Sequence, residues 1–462
     1  MVNKEARTLG FFGPERRLRQ DELSGYHNEL LPRVTVIGGG LAGLASAAAL
    51  AGAGCAVEVY EARPFLGGRA TSYPIDGEVI DNCQHILLRC CVNLLDFYRR
   101  LGVDGQIEFH KRFFFIEPGG RTSILERGWL PVPVHFAGAF ARASYLSFTD
   151  KLALGRALLA MRQERTTRRD LDQITMRQWL DEKQQPPRVV ERFWRQVLVS
   201  AINEELDRMA ASHGFQVLWL GFLATADGYE MGVPRVPLAS LYSAEAWQRF
   251  PRVTLHERST VEAIEGDAVV VDGARVPFER CVLALPFERL RALLPGLPVA
   301  WDAFEHSPIT GIHLWFDRPV TDLPHGTLLD RTIQWFYNKN AGRHIQLVVS
   351  ASRALTPMPR QEVIDLGVRE LSEFLPLVRE ARLEKAHVVK EVRATFSAKP
   401  GLEALRPGPV VPGYERLFLA GDWTRSGWPA TMEGAVRSGY LAAEALLDRE
   451  GVRRSYLLPD IA

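Results

Sequence analysis

Cysteine is scarce in this chain, and the few present are not spaced to act together. Cys55, Cys83, Cys90, Cys91 and Cys281 make five in 462 residues. An odd number without a C-x-x-C pair or His-rich spacing argues against a disulfide framework and a zinc site, and no other metal motif is present. A reducing cytoplasm fits this usage. Net charge is equally scarce, with 56 basic and 55 acidic side chains leaving +1. That balance lacks the basic excess of a nucleic-acid surface, and the run from Arg162 to Arg169 reads as a solvated helix face. Also missing is an unbroken apolar span. Residues 34–57 carry no charge for 24 positions, enough to cross a bilayer, but Gly38-Gly39-Gly40 interrupts them. The polar residues 1–32 lack the apolar core of a secretory signal and are read as an N-terminal extension.

What is present is a strand, a glycine turn and a helix. Arg33 to Ile37 reads as a strand, Gly38, Gly40 and Gly43 form G-x-G-x-x-G, and Leu41 and Ala42 open an Ala-rich helix. The spacing predicts a tight turn at Gly38, close approach of a pyrophosphate at Gly40, and close helix–strand packing at Gly43. The helix N-terminus then offers free N–H groups to phosphate. A second strand, Ala56 to Tyr60, ends in Glu61, placed to accept from the ribose hydroxyls of an adenosine. Val253 to Ile264 and Ala268 to Val276 alternate as strands, with Asp272-Gly273 as a hairpin signal.

The pattern Glu61-x-Arg63-x-x-x-Gly67-Gly68-Arg69 resembles the FAD-binding superfamily containing amine oxidases, protoporphyrinogen oxidase and carotenoid desaturases. Gly421-Asp422-Trp423 and the helix near Thr431-Met432-Glu-Gly-Ala resemble its second flavin motif. The resemblance implies non-covalent FAD, with Arg63 at the adenosine end, Gly68 and Arg69 along the pyrophosphate and flavin, and a backbone contact from Val261 to adenine. Asp422 can bond a ribityl hydroxyl, and the helix beginning at Met432 can aim its positive end at the flavin. The fold class implied is α/β: a Rossmann-like FAD domain with a mixed-sheet and helical substrate domain. Because the motifs lie about 380 residues apart, the FAD domain is expected to be discontinuous, over 33–115, 235–300 and 385–462. The substrate domain then takes 116–234 and 301–384.

Asp81-Asn-Cys83-Gln84-His85 and the stretch from Gly421 to Gly439 are similar to the hydroxysqualene dehydroxylase family. The resemblance implies reductive loss of hydroxyl from a thirty-carbon isoprenoid alcohol to give squalene, with hydride from the reduced flavin. Gln84 and His85 are the catalytic candidates, His85 as a donor titrating near neutrality. Trp423, Trp428, Trp315 and Trp335 are candidates for sheltering positive charge. Cys83 departs from the family's usual glycine, at a backbone position where cysteine tolerates positive φ poorly. Thr431 and Thr310 stand where related amine oxidases keep a tyrosine and a lysine, which speaks against amine oxidation. A carotenoid-type desaturase is the same-class alternative, and a flavin-free prenyl-binding protein like the GDP-dissociation inhibitors is the alternative of another class. No second nucleotide fingerprint identifies the external electron donor.

Gly128 to Phe148 is strongly apolar but broken by Pro131 and Pro133. It reads either as an interfacial segment, with Trp129 and Tyr145 at headgroup level, or as a buried hairpin lining the cavity. The first reading makes the protein cytoplasmic and peripheral on the inner membrane face. Leu171 to Leu220 is predicted helical, its Glu204, Glu205 and Asp207 forming a solvated face.

Overall fold

A computed structural model describes residues 31–461, so all but the end of the polar extension falls outside the described residues. Five short strands form a parallel sheet in the order Val253–His256, Ala56–Tyr60, Arg33–Ile37, Arg280–Leu283, Leu417–Leu419. Its central members are rich in valine and other apolar side chains, as strands covered on both faces are. Helix Leu41–Ala53 follows the central strand and lies against Met432–Arg449. A Cβ at Gly439 would stand 2.3 Å from the Ala42 carbonyl oxygen, so glycine and alanine let these two helices meet backbone to backbone.

The antiparallel meander Val261–Glu265, Ala268–Val271, Ala274–Pro277 turns at Asp272-Gly273, where both residues have positive φ as a two-residue hairpin requires. The second large sheet has seven strands, ordered Leu383–Phe396, His306–Phe316, His344–Ser350, Trp335–Asn340, His325–Leu328, Phe113–Ile116, Thr122–Leu125. One face buries Ile312, Leu314, Leu347 and Val349 against helix Arg360–Phe374. The other carries Gly311, His313, Gln346, Val348, Trp335 and Tyr337, by the strict alternation of strand side chains.

Two expected boundaries move. Leu383–Phe396 runs along His306–Phe316, so the substrate sheet extends to residue 396 and does not stop at 384. Phe113–Ile116 is also one of its strands. The helical layer predicted over 171–220 is interrupted, because Asn203 adopts φ 59° and ends Gln196–Ile202. Glu204 is not on a solvated face: it is fully buried, gripped by both terminal nitrogens of Arg353 at 2.6 and 2.7 Å. Among the described residues no helix is long and apolar enough to cross a membrane.

Candidate active site

The nucleotide cradle starts at the junction of Arg33–Ile37 and Leu41–Ala53. Gly38 has φ 107°, and a Cβ at Gly43 would stand 1.9 Å from the Gly38 carbonyl oxygen. Neither position can carry a side chain. At Gly40 a Cβ would meet only Gly68 Cα, at 3.9 Å, which leaves room above the start of the helix at Leu41 and Ala42. No side chain caps that helix, so its first N–H groups stay available for an anion. Gly67 and Gly68, at φ 94° and 62°, bring the second loop beside Gly40. A gap bounded by glycines and backbone donors is what a pyrophosphate needs, and these residues fit FAD. Glu61 accepts from the backbone N–H of Gly39 and of Arg63, each at 2.8 Å, at the edge of the gap. Arg63 reaches back to the Gly68 carbonyl at 3.4 Å, and Val261 lies buried at the start of its strand.

The second motif closes on the first. Gly421 has φ 146° and donates its N–H to Ser438 Oγ at 2.9 Å. Asp422 accepts from Arg69 Nη2 at 2.6 Å, and Arg69 Nη1 donates to the Ala394 carbonyl at 2.7 Å. Thr431 caps the helix at Met432, accepting from Gly434 N–H at 3.0 Å. Next to it, Glu433 accepts from Asn93 N–H and Nδ2 at 3.2 and 2.8 Å and from Leu94 N–H at 2.7 Å. It thereby satisfies the free donors of helix Val92–Leu101. Burial pushes the Glu433 carboxyl up to about 7.

Arg406 is a residue that the sequence pattern did not reveal. Fully buried, it donates to the carbonyls of Asp422, Trp423 and Trp428 at 2.9, 3.3 and 2.8 Å, and to that of Thr424. One guanidinium thus holds the whole flavin loop. Between a leucine and a proline it carries no motif signal.

On the substrate side, residues 81–85 lie against the seven-stranded sheet. Cys83 does adopt φ 60°, and Gly311 stands opposite it, where an added Cβ would lie 3.5 Å from Cys83 Cα, at ordinary van der Waals contact. The residue facing this segment is therefore Gly311 rather than Thr310, whose Oγ1 hydrogen-bonds Ser352 Oγ at 2.9 Å on the opposite face. A lysine is nevertheless present from another strand. Lys339 donates to Gln84 Oε1 at 3.1 Å and to Asp81 Oδ2 at 3.2 Å, while Asp81 Oδ1 accepts from Ser72 Oγ at 2.7 Å and Leu238 N–H at 3.0 Å. The expectation that His85 titrates near neutrality is corrected: burial pushes its imidazole down to about 4, and Nδ1 has no partner. It is a neutral ring at pH 7.

The four tryptophans separate into two kinds. Trp423 spends its N–H on the Leu285 carbonyl at 2.9 Å and packs against Trp301 and Phe304. Trp428 spends its own on Asp460 Oδ1 at 2.9 Å. Both are packing residues in this arrangement. Trp335 lies on the sheet face turned toward residues 81–85, stacked on Tyr337 and bonded to Ser200 Oγ at 2.7 Å. Trp315 stacks on His344 with centroids 4.2 Å apart. In the apolar segment, Phe136 and Tyr145 are buried, Tyr145 stacked on Phe115, so Tyr145 is not at headgroup level. Trp129 is 92% exposed and Phe148 75%.

Comparison with known proteins agrees with this geometry. Residues 41–447 match the family described as flavin containing amine oxidoreductase. A hydroxysqualene dehydroxylase of Rhodopseudomonas palustris is 31% identical over 434 residues, covering 90% of this chain and 98% of the relative. A 15-cis-phytoene desaturase of Synechococcus elongatus is 26% identical over 466 residues, covering 90% and 96%. Among solved structures, putrescine oxidase bound to putrescine superposes with TM-score 0.68 at 16% identity, covering 91% and 99% of the two chains. That last likeness speaks to fold alone.

Proposed function

This chain belongs to the flavin containing amine oxidoreductase family and is an FAD-dependent oxidoreductase, and on that premise we propose that it reductively dehydroxylates hydroxysqualene to squalene. FAD held by the turn at 38–43, Glu61, Arg69 and Asp422 would, once reduced by an external two-electron donor, supply a hydride. The protein's own residues manage the leaving group. As the allylic C–O bond breaks, its electron pair stays on oxygen, a proton is delivered there, and water departs while the hydride fills the carbon.

The observation that carries this reading is the contact of Lys339 with Gln84. Loss of hydroxide needs a proton donor, and Lys339 brings an ammonium beside the family motif. Gln84 and Asp81 fix its position, and reprotonation from water is open because a fifth of its side chain remains exposed. His85, held neutral, positions rather than donates. The relative of Rhodopseudomonas palustris supports the same reading. The phytoene desaturase relative supports hydride flow in the opposite direction, and the flavin-free prenyl-binding alternative is set aside by the family match.

Substrate dissolved in lipid requires a docking surface, which we place on a basic, apolar flank. Trp129, Val132, Val134, Phe148, Leu152 and Leu159 are exposed. Between residues 127 and 163 the basic side chains are Arg127, Arg142, Lys151, Arg156 and Arg162, and the sole acid, Asp150, is buried in the capping box of helix Phe148–Thr167. Exposed hydrophobes with unopposed positive charge suit an anionic bilayer.

Anaerobic incubation decides direction and substrate together. Photoreduced enzyme is mixed with hydroxysqualene, and oxidised enzyme separately with squalene and with phytoene. Flavin reoxidation with squalene formed only in the first mixture is expected. Bleaching of oxidised flavin by phytoene would replace this reading with desaturation.

A further inference from the structure

The sheet face toward residues 81–85 holds polar side chains that no protein group satisfies. His313 is in register with Gln346, Gln346 with Tyr337, and Tyr337 with His325. Four side chains therefore form one row across four strands, on the face that also carries Gly311. Gln346 is fully enclosed, and neither its amide nitrogen nor its oxygen has a hydrogen-bond partner. His313 Nε2 is likewise unpartnered. His313 Nδ1 is taken by His344 Nε2 at 3.0 Å.

Buried amides are almost always paired, because an unmet donor or acceptor keeps its full desolvation cost. Here the unmet groups sit beside an otherwise aromatic and aliphatic lining. Beside the row, Trp335, Val348 and His344 retain 7–8% exposure, so solvent still reaches side chains next to it. A hydrocarbon packed against the row would leave these atoms unmet. A hydroxyl group, with one donor and two acceptor positions, satisfies an amide and an imidazole nitrogen together.

We propose that Gln346 and His313 form the receptor for the substrate's hydroxyl group, with Gln346 setting the preference for a long-chain alcohol over the corresponding hydrocarbon. The proposal rests on the dehydroxylase reading. Gln346 donates to the hydroxyl oxygen through its amide N–H, or accepts the hydroxyl proton at its carbonyl. His313 supplies the complementary contact at Nε2. Burial keeps His313 and His344 well below the usual imidazole range, so the receptor brings hydrogen bonds without a competing charge. Lys339 lies two residues beyond Tyr337 on the same strand.

The test compares binding of hydroxysqualene and squalene, in detergent micelles, to oxidised FAD-loaded enzyme, read by perturbation of the flavin spectrum. The wild type is expected to bind the alcohol at least tenfold more tightly. In Gln346→Leu the two ligands bind within twofold of each other, while the melting temperature stays equal or rises, since an unpaired amide has been removed. Gln346→Met serves as the second variant should leucine impair folding. Retained alcohol preference in the variants overturns the proposal, as does a wild type with no preference or a marked fall in melting temperature in both variants. A wild type that prefers the alcohol yet forms no squalene defeats the dehydroxylase reading and leaves the receptor standing. Squalene formation alongside an unchanged preference in Gln346→Leu defeats the receptor alone.

Discussion

Arg69 and Asp422, 353 positions apart in sequence, meet in an ion pair of 2.6 Å. The same guanidinium bonds the Ala394 carbonyl on the edge strand of the substrate sheet, so one side chain ties together both flavin motifs and the second sheet. Removing one member of a largely enclosed pair leaves the other charge unmet. Asp422→Ala is expected to lower the melting temperature of the apoprotein and to weaken FAD retention at least tenfold, read from the 450 nm absorbance after gel filtration. Arg69→Lys keeps the charge but cannot reach both partners, and an intermediate loss is expected.

Glu433 gives stability a pH dependence. Its carboxyl is raised by burial, with the donors of Asn93 and Leu94 opposing. Because the folded value of about 7 lies above that of the unfolded chain, the group's contribution is fully present below about pH 4.5 and is lost as pH rises to 7. The span is at most about 3 kcal/mol. In Glu433→Gln that dependence disappears. Thermal unfolding of both proteins between pH 4.5 and 8 is expected to show the variant gaining on the wild type as pH rises, and parallel curves would refute the assignment.

His85 carries the opposite sign. Its folded value of about 4 lies below that of a free imidazole, so protonation favours the unfolded chain. The contribution present above about pH 6.5 is lost as pH falls through 4, again by up to about 3 kcal/mol. His85→Phe is expected to lose less stability than wild type between pH 7 and pH 4. Between pH 5.5 and 8 the wild-type rate is expected to show no inflection that His85→Phe abolishes.

Exposure determines which aromatic residues test membrane docking. Phe136 is buried, so an aspartate there is expected to cost about 3–5 kcal/mol and report only on folding. Phe148→Asp with Leu152→Asp changes two exposed positions one helical turn apart. The double variant is expected to stay within about 1 kcal/mol of wild type while losing at least tenfold in co-flotation with phosphatidylglycerol vesicles. Unchanged flotation would reject the surface.

Glycine geometry made the nucleotide half readable in advance. The roles of Gly38, Gly40 and Gly43 follow from local backbone sterics, and the same spacing that marks them in sequence places them in space. The substrate half was less legible, because its contacts are set by register between distant strands. Lys339 reaches Gln84 only because Trp335–Asn340 stands where it does in the seven-stranded order. Gln346 becomes notable only once its enclosure is known. Burial also separated Trp423 and Trp428 from Trp335, three residues identical in type whose indole partners depend on tertiary packing.

Cys83 offers a test in which backbone and side chain oppose each other. At φ 60° a non-glycine residue is disfavoured by roughly 1 kcal/mol. Its side chain is enclosed among Ile80 and Val389, where losing the sulfur costs roughly 1 kcal/mol. Cys83→Gly relieves the first and forfeits the second, so its stability is expected to stay within about 1 kcal/mol of wild type. Cys83→Ala forfeits the sulfur and keeps the backbone cost. Glycine should therefore exceed alanine here by about 1 kcal/mol, the reverse of their order at ordinary backbone angles. Urea denaturation of the two variants reads that order directly, and alanine more stable than glycine would show that this backbone is not left-handed in solution.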